Sequence, residues 1–117
     1  MQELKKFFPE EVLDKAHNVV AIFQDDVLIN NSLIDGDAIL VVVYMLSNKN
    51  KSNYVKYEEA QNLYVKSGKE KESFRKALYE LTKRFQKGMI NRNEDGTLSL
   101  TFSGVNHIKT LLEGKYK

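Results

Sequence analysis

Cysteine does not occur in this 117-residue chain, which excludes disulfides, thiolate metal sites and a cysteine nucleophile. Its absence also suits a reducing, intracellular setting. Long hydrophobic runs are missing too: the longest, Ala38 to Leu46, spans nine residues, against roughly 20 for a membrane-crossing helix. The N-terminal stretch Gln2-Glu3-Leu4-Lys5-Lys6-Phe7-Phe8 runs into Pro9-Glu10-Glu11 where a secretory leader would place its apolar core, so no leader is expected. A soluble, cytoplasmic protein with no membrane partner follows as the expectation. Histidine is scarce as well. His17 and His107 lie in separate apolar-periodic segments and are expected at interfaces or partly buried rather than in catalysis. Asp25-Asp26 and Asp35-Gly36-Asp37 lack the other ligands of a calcium loop, and no phosphate-cradling Gly-rich loop or metal-ligand spacing occurs. No enzyme, no metal and no cofactor is expected.

What the chain does contain is ordinary for one globular core. Hydrophobic residues make up 42% and charged residues 29%, too apolar for disorder. The net charge of +2 conceals an asymmetry. Residues 1–47 hold 3 Lys against 8 Asp or Glu, whereas residues 48–117 hold 15 Lys or Arg against 8 acids. A basic half suits a polyanion, although uneven charge on a solvated surface reads the same way.

The only proline, Pro9, suits a first helical position, and Glu10-Glu11 suit a helix N-terminus. Val12, Leu13, Ala16, Val19, Val20 and Phe23 then recur at three- and four-residue steps, predicting a helix from about Pro9 to Gln24 that ends at Asp25-Asp26. Val27 to Ile34 is ambiguous because Asn30-Asn31-Ser32 interrupts it. The run Ala38 to Leu46 is β-branched enough for a buried strand. Tyr57 to Lys66 reads as a short helix stopped at Ser67-Gly68. Glu70 to Lys87 is the longest basic helix, with Phe74, Leu78, Leu81 and Phe85 in one apolar stripe. Gly88 ends it. Met89–Arg92 and Thr97–Leu100 then form a hairpin around Asp95-Gly96, a pair that accepts the positive φ of a tight turn. Thr101 caps a last helix through Val105, Ile108, Leu111 and Leu112.

From about Asp37 to Leu112 this order resembles the winged helix-turn-helix superfamily of DNA-binding regulators. The resembling residues are Ser73-Phe74-Arg75-Lys76-Ala77-Leu78 opening a recognition helix, Lys87-Gly88-Met89-Ile90 leaving it, Asp95-Gly96 at a wing tip, and Leu100-Thr101-x-x-Gly104 at the closing helix. The stretch between Tyr57 and Gly68 is longer than the compact turn usual in bacterial regulators, and the step from Phe85 to Gly88 is one residue shorter than usual. The resemblance takes Ala38–Leu46 as a helix, capped by Asp35 or Asp37. It implies a mostly α fold with a small β-hairpin, an α+β winged helix over residues 35–117. An extra N-terminal helix and connector then occupy residues 1–34.

With the apolar stripe facing the core, a 100° step per residue puts Glu72, Lys76, Tyr79, Lys83 and Gln86 opposite, with Arg75 flanking. Arg reaches guanine edges bidentately and Lys binds phosphate as a point charge. Lys69 and Lys71 sit near the helix N-terminus, whose free amides favour phosphate. Arg92, with Asn93 beside it, is the wing candidate for a minor groove; Glu94 and Asp95 repel phosphate, and Asp95-Gly96 is better explained as turn chemistry. Solvated surface charge is the competing reading for every one of these residues. The expectation is a binder of double-stranded DNA acting in transcription regulation. The alternative is a protein-interaction winged helix in which Tyr54, Tyr57, Tyr64 and the basic helix form an adaptor surface, or an accessory subunit of a nucleic-acid-processing complex. The apolar residues of the N-terminal helix must be buried, either in a homodimer joined through that helix or against the same chain.

Overall fold

The computed structural model describes residues 3–24, 26–83 and 88–114. It is a mixed α+β structure with two small antiparallel sheets. A hairpin of β1 (Val20–Phe23) and β2 (Asp26–Ile29) follows two 3-10 segments, Glu3–Lys6 and Glu10–Asn18. Then come α1 (Asp35–Asn50), β3 (Val55–Lys56), α2 (Tyr57–Lys66), α3 (Lys71–Lys83), β4 (Ile90–Arg92), β5 (Thr97–Leu100) and α4 (Phe102–Leu112).

Helix α1 explains the apolar run that is ambiguous in sequence. Ala38 to Val43, Met45 and Leu46 are all buried, and the helix touches α2, α3, α4 and strands of both sheets. A helix enclosed on every side needs apolar residues on every face, so no polar stripe marks its period. Its cap differs from expectation. Ile34 is the N-cap residue and no side chain caps it; Asp35 and Asp37 fall inside the first turn. There they still favour the positive end of the helix dipole.

The N-terminal helix expected from Pro9 to Gln24 does not form. Glu10–Asn18 is wound as a 3-10 helix, and Val20–Phe23 leaves it as a strand. In a 3-10 helix residues three apart eclipse, which aligns Leu13 and Ala16 with Val19; Ala16 and Val19 are fully buried. The β-branched end of the segment instead pairs with Val27-Leu28-Ile29, in register from Val20↔Ile29 to Phe23↔Asp26. Phe8 is also buried, and the segment packs on α1 and α4. Much of the apolar surface that the sequence leaves unassigned is therefore covered by the same chain, in one core running from Leu4 to Leu112. Asn18 Nδ2 donates to Leu112 O at 2.5 Å, and Lys15 pairs with Glu113, closing the N-terminal segment onto α4. Ser67, buried at the end of α2, accepts from Ile29 N at 3.0 Å and anchors β2.

The second half follows the sequence closely. Strand order is β3-β5-β4, with Val55↔Leu98 and Ile90↔Leu100 in register. Gly96 has φ +88° at the tip between β4 and β5, a left-handed conformation that glycine adopts without strain. Asp95 accepts from both the hydroxyl and the backbone N–H of Thr97, and these bonds hold its carboxyl below the usual carboxylate range. Thr101 caps α4 through Gly104 N at 3.1 Å.

One buried polar pair is not legible in sequence. Asp37 is 1% exposed and its Oδ1 meets His107 Nε2 at 2.8 Å, joining α1 to α4. Burial pushes the Asp37 carboxyl up despite the counteracting His107 contact. A raised folded-state pKa means that the group favours folding below its unfolded pKa, near 3.9, and that this stability is lost as pH rises through the folded value. Asp37→Asn keeps an acceptor for His107 without the buried charge. It is expected to melt no lower than the parent at pH 7, with its margin shrinking as pH falls towards 3. A lower melting temperature at pH 7 would show that the ionised pair stabilises the fold.

Candidate nucleic-acid interface

Helix α3 has the phase its sequence predicts. Phe74, Leu78 and Leu81 are buried, and the Phe74 ring meets Tyr57 at 5.2 Å and Tyr64 at 5.0 Å, both edge-on. Phe85 and Gln86 lie outside the described residues, as does the side chain of Lys83. With that stripe fixed inward, Lys71, Glu72, Arg75 and Lys76 are exposed, and Tyr79 is 53% exposed. Arg75 is paired with Glu72 one turn before it, an exposed contact that water and salt weaken readily.

Two expected contacts change character. Lys69 is not available to a phosphate: its half-buried ammonium donates to Leu33 O at 2.7 Å and Asp35 Oδ1 at 2.8 Å. It ties the start of α1 to the loop before α3, a structural use that a partner 34 residues away hides from sequence. Asn93 is likewise engaged, donating to Thr97 Oγ1 and Ser99 Oγ within the hairpin. Arg92 stays exposed at the end of β4, with its guanidinium 4.9 Å from the centre of the Tyr57 ring. Stacking of this kind holds the arginine's plane while leaving its edge donors free.

Those residues join into one surface. A concavity of about 680 Å³ between α2 and α3 is lined by Tyr57, Gln61, Glu70, Lys71, Glu72 and Arg75. Further along the same side of α3 a cleft of about 480 Å³ is lined by Tyr79, Thr82, Asn91 and Arg92. Arg92 and Tyr57 also share a third concavity that runs to Gly96 at the hairpin tip. The structure therefore brings together Lys71, Arg75, Tyr79 and Arg92, with Lys76 on the outward face, and leaves Lys69 out. Sequence reasoning misses Gln61, Thr82 and Asn91, and it places Tyr57 only on the alternative, protein-binding surface. Asn91 is detectable in principle, since Ile90 is buried and a strand alternates; the α2 residues carry no such signal.

The tyrosines expected on an adaptor surface are dispersed. Tyr64 is fully buried, with its hydroxyl 2.7 Å from Ser73 Oγ, and burial pushes its pKa up to about 12. Tyr57 is half-buried beneath Arg92, and Tyr54 alone of the three is exposed. A further concavity, about 360 Å³, is lined by Lys6, Lys49 and Lys66 together with Asp26 and Glu59 and lies apart from the residues of α3. Among the described residues no cluster of three or more His, Asp or Glu side chains has the arrangement of a metal site, and no helix is long and apolar enough to cross a membrane.

Comparison with protein-family models, with curated proteins and with solved structures gave no match.

Proposed function

We propose that this chain is a winged helix that binds double-stranded DNA, with α3 in the major groove and the β4–β5 hairpin beside it, and that it regulates transcription. The carrying observation is the exposed face of α3, where Lys71, Arg75, Lys76 and Tyr79 stand near Arg92, at the turn end of β4. Support comes also from the order α1-β3-α2-α3-β4-β5-α4 and from the short sheet that fixes the hairpin relative to α3. An α-helix fits the major groove of B-DNA, and the adjoining cleft offers Asn91 and Thr82 to a sugar-phosphate strand.

Roles divide by chemistry. Lys71 and Lys76 neutralise phosphates, and the exposed N-terminal turn of α3 adds backbone amides. Arg75 exchanges Glu72 for a base edge, since an exposed ion pair is worth less than about 1 kcal/mol. Arg92, preset on Tyr57, holds the flanking backbone or minor groove. Single variants separate these roles. Lys71→Ala should weaken binding to every duplex alike, whereas Arg75→Ala should also flatten discrimination at one base pair by about 1–3 kcal/mol. Binding of both variants to a randomised duplex library, followed by sequencing of the bound fraction, measures this. Unchanged selectivity and affinity in Arg75→Ala would remove α3 as the reading element.

A further inference from the structure

The β1–β2 hairpin leaves an uncovered apolar face beside an unpaired backbone edge. Asn30 N–H donates to Val19 O at 2.9 Å, which marks Val19 and Asn30 as a hydrogen-bonded pair continuing the register Val20↔Ile29, Ala21↔Leu28. Such pairs alternate along an antiparallel ladder. Ala21 and Phe23 therefore direct their N–H and C=O towards β2, and Val20 and Ile22 direct theirs away from it. Among the described residues β1 pairs with β2 alone.

Side chains alternate as well. Val20, Val27 and Ile29 are buried, with Ile22 at their rim 44% exposed. Ala21, Phe23 and Leu28 occupy the opposite face, where Phe23 is 64% exposed. The solvated face of an antiparallel pair ordinarily carries polar residues, but here Asp26 is the one polar side chain among the four paired residues of that face. Strand β1, Val-Ala-Ile-Phe, also lacks the lysine, proline or charge that protects edge strands from pairing.

We infer that β1 pairs antiparallel with β1 of a second copy of this chain, about a two-fold axis at Ala21, to make a four-stranded sheet. The edge is complementary to itself: its two outward-facing residues, Val20 and Ile22, lie symmetrically about Ala21. Val20 of each copy then forms a hydrogen-bonded pair with Ile22 of the other, and the two Ala21 residues form the close pair between them. No charge in β1 opposes the approach, and the resulting interface is isologous and closed. Phe23 of each copy lies on the same sheet face as Ala21 and covers the seam. This dimer stands independently of the DNA reading, and it differs from one built on an N-terminal helix.

The pairing can be tested through a thiol, because the chain has no cysteine of its own. Across a close, non-hydrogen-bonded pair the Cα atoms lie about 4.5 Å apart, within the range of a disulfide. Ala21→Cys should oxidise to a covalent dimer at least about tenfold faster than Ser103→Cys, an exposed control on α4. In sedimentation equilibrium the parent mass should rise from 13.5 kDa towards its double with concentration. Ile22→Lys and Phe23→Lys should each return it to monomer while the circular dichroism spectrum is unchanged. Two variants are used so that a folding failure in one leaves the other decisive. A parent that stays monomeric at every concentration, a dimer indifferent to both lysines, or equal oxidation of the two cysteine variants would overturn the pairing.

Discussion

Gly104→Ala should destabilise the protein about as much as emptying its core, although it adds a single methyl group. In an open helix the change stabilises by about 1 kcal/mol, because alanine is the better helix former. Gly104 is not open. A Cβ there would stand 2.1 Å from the backbone oxygen of Met89 and 3.1 Å from its carbonyl carbon. That oxygen already accepts from Thr101 N at 3.2 Å, and the Thr101 hydroxyl donates to the neighbouring Gly88 O. The start of α4 is thus laced to the segment entering β4, and the obstacle is backbone, which cannot swing aside. Overpacking costs about 1–3 kcal/mol where side chains give way; a backbone obstacle puts this variant at about 3 kcal/mol or more. The melting temperature should fall by about 10–20 °C, comparable with Leu78→Ala, a fully buried truncation worth about 2–5 kcal/mol. A Gly104→Ala protein that melts at or above the parent temperature would separate α4 from β4.

The second large effect concerns binding. Replacing Lys71, Arg75 and Lys76 together by alanine should reduce affinity for duplex DNA about 100-fold near 0.1 M salt and leave the fold intact. All three are exposed on α3, where substitutions usually change stability by less than about 0.5 kcal/mol. A phosphate that no side chain neutralises keeps its condensed counterion, so losing the two phosphate contacts of Lys71 and Lys76 should make the dependence of log affinity on log salt shallower by about two units. Fluorescence anisotropy of a labelled duplex, with thermal melts in parallel, reads both quantities. Parent-like binding by a folded triple variant would displace the interface from α3.

Local chemistry is legible in the sequence and long-range pairing is not. The inward phase of α3 follows from Phe74, Leu78 and Leu81, and the β4–β5 turn from Asp95-Gly96, because both patterns are complete within a few residues. Residues 12–23 satisfy a helical period throughout, and only the pairing of Val20–Phe23 with Asp26–Ile29 turns their end into a strand. Strand β3 is two residues long and is defined by Leu98 and Thr97, some 40 positions on. The same distance problem affects the candidate site. Helix phase and hairpin position put Lys71, Arg75 and Arg92 on the exposed surface, where the structure has them. They place Lys69 wrongly in the exposed set, because Asp35 and Leu33, which engage it, lie far back in the chain. The partnership of Asp37 with His107 spans 70 residues and leaves no local trace.

The most direct measurement is the affinity of the unmodified protein for a random 20-base-pair duplex between about 50 and 200 mM salt. An α3 and hairpin surface that neutralises three phosphates, through Lys71, Lys76 and Arg92, predicts that log affinity falls with log salt at a slope of about −2.7. An affinity that does not change across that range, or no binding at about 50 mM, would contradict DNA as the ligand of this surface.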